Sequence, residues 1–269
     1  MKLVRKIMGL SACWMLVLLA GCAGNAGAPA SSGGRGEVMT ESDEPDTRKR
    51  ARIRLELASN YFQQGQTNVA LDEIKQALTA DPTFVDAYNL RGLVYMRLND
   101  NALAEDSFRR GMGISPRDGD VLHNYGWLLC LQARYPESSA LFERAITSPT
   151  YTGQAKSMTM HGICQVRAGR NAEGERSLLQ AFELDAGNPV TSYHLANALF
   201  QRGDLPRAQF YIRRLNNSDL ANAETLWLGI KVERSLGNRE AMMQLVGQLK
   251  KRFGQSREAA AYDRGAFNE

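Results

Sequence analysis

The sequence predicts an all-α fold, a solenoid of six stacked helix pairs closed by a short C-terminal capping helix. Three observations carry this reading. A turn residue recurs at positions 65, 99, 133, 169, 203 and 237, spaced 34, 34, 36, 34 and 34 residues apart. The first helix of most units carries a small residue, and the second carries a larger apolar one at helical spacing. Proline is confined largely to unit boundaries and first turns, where its missing N–H is harmless. A single helix pair cannot bury its apolar face alone, so neighbouring pairs must stack, and a fixed period of this length marks such an array.

The first unit, near 51–84, presents Ala58, Tyr61, Gly65, Ala70, Ile74, Ala77 and Pro82. The second, near 85–118, repeats the pattern with Gly92, Tyr95, Asn99, Ala104, Phe108, Gly111 and Pro116. In the third, near 119–152, Gly126, Leu129, Ala133, Ser138, Phe142 and Ala145 recur, with the helix break at Ala133 to Pro136 and Pro149 closing the unit. After a two-residue slip the fourth, near 155–188, has Gly162, Gly169, Gly174, Leu178 and Ala181. The fifth, near 189–222, has Ala196, Leu199, Gly203, Ala208, Ile212 and Leu215, and the sixth, near 223–256, is looser, with Ile230, Gly237, Met242, Val246 and Leu249. Ser256 to Tyr262 reads as a final polar cap followed by frayed residues. Small residues let paired helices approach, large ones fill the gap, and Gly or Asn takes the turn geometry. This skeleton resembles the tetratricopeptide repeat, which implies a right-handed superhelix whose first helices line a concave groove.

Residues 1–21 read as a signal peptide: Lys2, Arg5 and Lys6, then an apolar run from Leu10 to Leu19 that is shorter than the ~20 residues a membrane-spanning helix needs. Leu19-Ala20-Gly21-Cys22 resembles a bacterial lipobox, which implies lipidation of Cys22. Ala23 after the cysteine favours the outer membrane by the same resemblance. Three acyl chains at ~0.8 kcal/mol per buried methylene suffice for stable anchoring. Residues 22–46, rich in Gly, Ala, Ser and acidic side chains, read as a flexible tether, and 47–269 as the solenoid. Arg48, Lys49, Arg50 and Arg52 read as a solvated face, with contact to lipid head groups as the alternative. Of the formal charge of +4, three charges sit at Lys2, Arg5 and Lys6, leaving +1, which argues against nucleic-acid binding.

Carried onto this sequence, the groove positions of the repeat are Leu55 and Phe62; Asn89, Leu93, Met96 and Arg97; His123, Trp127 and Cys130; Ile163 and Arg167; Tyr193, Asn197 and Phe200; Trp227 and Arg234. For Leu93 and Ile163, packing between repeats is the favoured alternative. Aromatic and aliphatic anchors beside Asn and Arg suit an extended or helical peptide. With no preceding repeat to cover unit one, Ile53, Leu57, Tyr61 and Phe62 are candidates for an exposed apolar edge. Cys130 and Cys164 lie one repeat apart on successive first helices, where they could form a disulfide or remain two buried thiols. No catalytic constellation, metal-ligand spacing or phosphate-binding loop is present in the sequence: His123, His161 and His194 fall in separate units. No enzyme activity, cofactor, metal or small-molecule substrate is therefore expected.

The run Asn124-Tyr125-Gly126-Trp127-Leu128-Leu129-Cys130, followed by Tyr135, Phe142, Ala145, Pro149-Thr150-Tyr151 and Gly162-Ile163-Cys164, is similar to the PilF/PilW family of type IV pilus biogenesis lipoproteins. That resemblance implies a pilotin, anchored by acyl chains on Cys22 to the periplasmic face of the outer membrane. Such a protein binds the pilus secretin subunit and promotes its localisation and multimerisation, as pilus assembly and twitching motility require. A lipoprotein scaffold recruiting cell-wall enzymes would use the same anchor and groove.

Overall fold

The computed structural model describes residues 44–267; the signal peptide, Cys22 and nearly all of the tether lie outside them. Thirteen α-helices and no strands occur among the described residues. They pair as α1 (Asp46–Gln63) with α2 (Thr67–Ala80), α3 (Val85–Arg97) with α4 (Asn101–Ile114), and α5 (Gly119–Leu131) with α6 (Tyr135–Ile146). The remaining pairs are α7 (Gln154–Arg167) with α8 (Asn171–Leu184), α9 (Pro189–Arg202) with α10 (Leu205–Asn216), and α11 (Ala223–Ser235) with α12 (Arg239–Phe253). The short α13 (Arg257–Asp263) closes the stack against α11 and α12.

Each pair turns on a residue in the left-handed region. Gly65, Asn99, Ala133, Gly169, Gly203 and Gly237 all have φ between 59° and 85°. Two backbone hydrogen bonds close every such turn. In the first, Gly65 N–H donates to Phe62 O at 3.0 Å and Gln66 N–H to Tyr61 O at 2.8 Å; in the third, Ala133 N–H donates to Cys130 O and Arg134 N–H to Leu129 O. These bonds satisfy carbonyls that a helix end leaves open. Side-chain caps start the next helix at two of these turns, where Asp100 accepts from Leu103 N–H and Asp204 from Arg207 N–H; Asn188, accepting from Thr191 N–H, caps the first helix of the fifth pair.

Within pairs the small residues sit where a side chain would collide. A Cβ on Gly92 would lie 2.4 Å from the Phe108 ring, and one on Gly126 would lie 3.3 Å from Phe142. Phe108 and Phe142 are fully buried, so the missing Cβ and the large ring are two halves of one packing unit. In the fourth pair both partners are small: a Cβ on Gly162 would meet Gly174 O at 2.9 Å, so the backbones of α7 and α8 touch directly.

The 36-residue step has a physical cause. The longer link between α6 and α7 carries Tyr151, which is buried against Gly119, where a Cβ would come within 2.2 Å of the ring. Tyr151 also accepts a hydrogen bond from Ser157 Oγ at 3.1 Å.

Three expectations change. Helix α1 starts at Asp46, just after Pro45, one residue inside the expected tether. Its basic cluster is not wholly a solvated face: Arg48 pairs with Asp81 and lies 4.7 Å over Phe84, and Arg52 pairs with Glu44. The segment after α13 is ordered through Phe267 rather than frayed. Gly265 (φ 68°) reverses the chain, and Phe267 stacks on Trp227 at 5.2 Å.

Ala133 is the one left-handed turn residue that is neither Gly nor Asn. Ala133→Gly removes a Cβ penalty of ~1–2 kcal/mol, partly offset by ~0.4–1 kcal/mol of added unfolded-chain entropy. The expected net gain is about 0.5–1 kcal/mol by urea denaturation. A loss of stability would show that this turn carries no strain.

Candidate functional site: the groove and the first-repeat edge

The first helices α1, α3, α5, α7, α9 and α11 sit side by side, each touching the next, so their exposed positions form one continuous surface. Cations along these helices cover rings of the preceding repeat, of the same helix or of the C-terminal segment. The Arg97 guanidinium lies 5.3 Å from the Phe62 ring centre and donates to Phe62 O at 3.1 Å. Arg167 lies 5.2 Å over Trp127. Lys231 sits 6.0 Å from Phe200 and 5.7 Å from Trp227, and Arg234 covers Phe267 at 3.8 Å. Each exposed pair contributes ~0.5–1 kcal/mol and fixes a flat apolar surface beside positive charge.

The structure divides the expected site residues into two places. On α1, Ile53 (57% exposed) and Leu57 (38% exposed) are one turn apart on an uncovered face. Leu55, Tyr61 and Phe62 are instead half-buried against the core of the first pair, with Ala58, Ile74 and Leu90. Along the groove, Asn89 is half-buried and accepts from Asn124 Nδ2 at 2.9 Å, Met96 packs against the core around Leu122 and Tyr125, and Arg97 is exposed. Trp127 is half-buried under Arg167, and Asn197 lies on the wall of a cavity between repeats four and five.

Four positions assigned to the groove by the repeat pattern, His123, Cys130, Ile163 and Trp227, are buried instead. His123 is 3% exposed and its Nδ1 hydrogen-bonds Ser157 Oγ at 2.8 Å across the seam between α5 and α7. Cys130 forms a disulfide with Cys164, Cα–Cα 5.8 Å, inside a cluster with Phe142. Both side chains point at the neighbouring helix because α5 is clasped between α3 and α7. Ile163 is buried in the core of repeats four and five, and Leu93 packs against the core of the second and third pairs.

The cavity between α7, α8 and α9 has a volume of about 470 Å³. Ile163, Leu178 and Ala198 give it apolar walls, and Arg167, Asn197 and Glu175 stand among its polar lining. Ala172 and Ala198 also line it and were not expected from the sequence, where nothing distinguishes them from other helix alanines. Phe267 was missed too, because nothing local in the sequence announces a chain reversal onto Trp227. Among the described residues there is no cluster of three or more metal-ligating side chains, and no helix is long and apolar enough to cross a membrane.

Family models described as TPR repeat and tetratricopeptide repeat match residues 58–99, 85–118 and 159–219. The paired helices and their left-handed turns fit those matches, and the chain folds as a solenoid of tetratricopeptide repeats. It is homologous to the type IV pilus assembly protein PilF of Pseudomonas aeruginosa, with 23% identity over 228 residues, 85% of this chain and 89% of the relative. It is structurally similar to PilW, described as a widely conserved type IV pilus biogenesis factor: TM-score 0.73, 29% identity, 79% of this chain and 97% of that one. The Pseudomonas aeruginosa PilF structure matches with TM-score 0.74 and 22% identity over 82% of this chain and all of that one. An uncharacterized Haemophilus influenzae protein is 25% identical over 135 residues, half of this chain and 75% of that protein.

The disulfide closes a 34-residue loop, for which chain entropy gives about 3–4 kcal/mol. Cys130→Ala with Cys164→Ala should lower the unfolding free energy by that order; a change below ~1 kcal/mol would show that the seam holds without it.

Burial, reinforced by the Lys156 charge, lowers the His123 pKa to about 3. Between about 6.5 and 3 the unfolded chain therefore binds the extra proton, so this contribution is present above pH 6.5 and is lost as pH falls. From pH 7 to 5 the chain should lose about 1–2 kcal/mol through His123, with a flatter profile in His123→Asn. Equal slopes in the two proteins would contradict a neutral buried imidazole.

Proposed function

We propose that this chain is an outer-membrane lipoprotein pilotin that binds the type IV pilus secretin and promotes its localisation and multimerisation. The observation that carries the reading is the homology to PilF over most of the chain, together with the likeness to PilW. The fold supplies a fitting surface: an uncovered apolar face at Ile53 and Leu57, where the stack begins, beside a groove of paired rings and cations. Acyl chains on Cys22 hold the solenoid to the membrane, and the tether lets it search at ~5–6 Å × √n for n residues. Bound secretin subunits confined to one membrane have a raised effective concentration, which favours ring closure without any covalent step. The chain acts as a binding scaffold, not an enzyme.

Ile53→Asp with Leu57→Asp places two charges where the interface core would be dry, so heat-resistant secretin multimers in cells should fall at least fivefold. Both residues are exposed, so the melting temperature should hold. Trp127→Ala tests the groove in the same assay. Wild-type multimer levels in both variants would overturn the assignment of these surfaces.

A further inference from the structure

We infer that the outer side of repeats four to six, centred on Phe210 of α10, is a second docking surface, and that its partner is a protein segment in which carboxylates flank one apolar side chain. The surface is built on the second helices α8, α10 and α12, not on the first helices that line the groove. It does not depend on the partner being a secretin.

Phe210 is 59% exposed, on a helix whose Ala208, Tyr211, Ile212 and Leu215 are buried. The positions one turn away from it on the same face are Pro206, Arg207, Arg213 and Arg214, so one apolar ring stands among three guanidiniums. Helix α10 holds no carboxylate of its own. Toward α8 the ring is backed by other rings: Tyr211 lies 5.1 Å from Phe210 and 4.9 Å from Phe182, and Arg214 covers Phe182 at 5.6 Å. Toward α12 the surface falls into a recess of about 460 Å³, lined by Gln209, Arg213, Asn238, Arg239 and Gln244, with Glu240 as its one carboxylate.

The charges select the flanking groups. Arg207 is matched by Glu175 at 3.2 Å and Asp204 at 3.5 Å. Arg213 donates its Nε–H to Glu233 at 2.6 Å, but Glu233 is 1% exposed and turned inward, where Gln209 and Asn238 also bond it. The terminal nitrogens of Arg213 have no hydrogen-bond partner among the described residues, so its guanidinium is fixed in place with the fork open. Arg214 and Arg239 have no carboxylate in ion-pair distance among the described residues. Against these three guanidiniums the recess sets only the Glu240 carboxylate, and the surplus is complementary to an acidic partner. A guanidinium already held in place is preorganised for a bidentate carboxylate.

The shape selects a protein over a membrane. A flat layer of lipid head groups can meet the crest of α10 at Phe210 but cannot enter the recess beside it, and Arg213 is tied to Glu233 and cannot swing out to follow them. Aromatic rings and arginines are also the residues in which the cores of protein interfaces are enriched.

The probe is the capped peptide acetyl-Ser-Glu-Glu-Leu-Glu-Glu-Ser-amide, titrated into the full chain at low salt and followed by amide chemical shifts. Saturable shifts at Phe210, Arg213 and Arg239 are expected, with the groove around Trp127 unmoved. Binding should weaken at least fivefold when Leu is replaced by Ser or every Glu by Lys. It should weaken as much in Phe210→Ser and in Arg214→Glu with Arg239→Glu, which change exposed side chains without an ion pair and should keep the wild-type melting temperature. Trp127→Ala should bind the peptide as the wild type does, which separates this surface from the groove whatever the secretin assay shows. The assignment would be overturned by no saturable binding at millimolar peptide, by shifts in the groove instead of α10, or by undiminished binding to the folded variants. Shifts of the same amides with phosphatidylglycerol vesicles or with protein concentration, and not with the peptide, would equally overturn it in favour of a lipid surface or a second copy.

Discussion

Six backbone turns through the left-handed region set the form of this molecule. At each one the chain leaves its first helix, bonds two amides back onto that helix and starts a second helix antiparallel to it. The geometry tolerates glycine, then asparagine, and other residues only at an energetic penalty. Because the turn reverses the chain in the same way each time, the second helix of each pair is folded back against the first. In several pairs a small residue of the first helix then meets the second helix closely. Gly92 under Phe108 and Gly126 under Phe142 are consequences of the turn as much as of the core.

Identical pairs still need seams. Here the seams are made by residues one period apart: Asn124 with Asn89, His123 with Ser157, Thr159 with Thr191, and the disulfide of Cys130 with Cys164. Polar groups buried at a seam are stable only when paired, so each of these bonds favours one register of stacking over its neighbours. Glu233 shows the same logic at the sixth repeat. Burial alone would raise its carboxyl pKa, but hydrogen bonds from Arg213, Asn238 and Gln209 outweigh that effect and hold it below its usual value.

The turns and the small-against-large pairing were legible because they are local and periodic: position 65 and position 237 obey the same backbone rule whatever surrounds them. The groove was less so. A periodic assignment sends His123 and Cys130 into the concave face, but a helix clasped on both sides turns those positions into its seam. Tyr151 explains the two-residue slip only once Gly119 is seen beneath its ring. Phe267 could not be placed at all from sequence, since its contact with Trp227 depends on one reversal at Gly265 and on nothing periodic. The edge residues split for a similar reason: Ile53 and Leu57 stay exposed, while Tyr61 and Phe62 turn toward the core of the first pair.

The proposed work of a scaffold built this way is to hold a partner at a membrane. The central claim is that the anchor and the solenoid act together on the secretin. The direct measurement is membrane fractionation and unheated gel electrophoresis of secretin from cells with the wild-type protein, with Cys22→Ala, and without the protein. The account predicts loss of heat-resistant multimers when the protein is absent, and fewer or mislocalised multimers in the Cys22 variant. Equal multimers at the outer membrane in all three strains would contradict it.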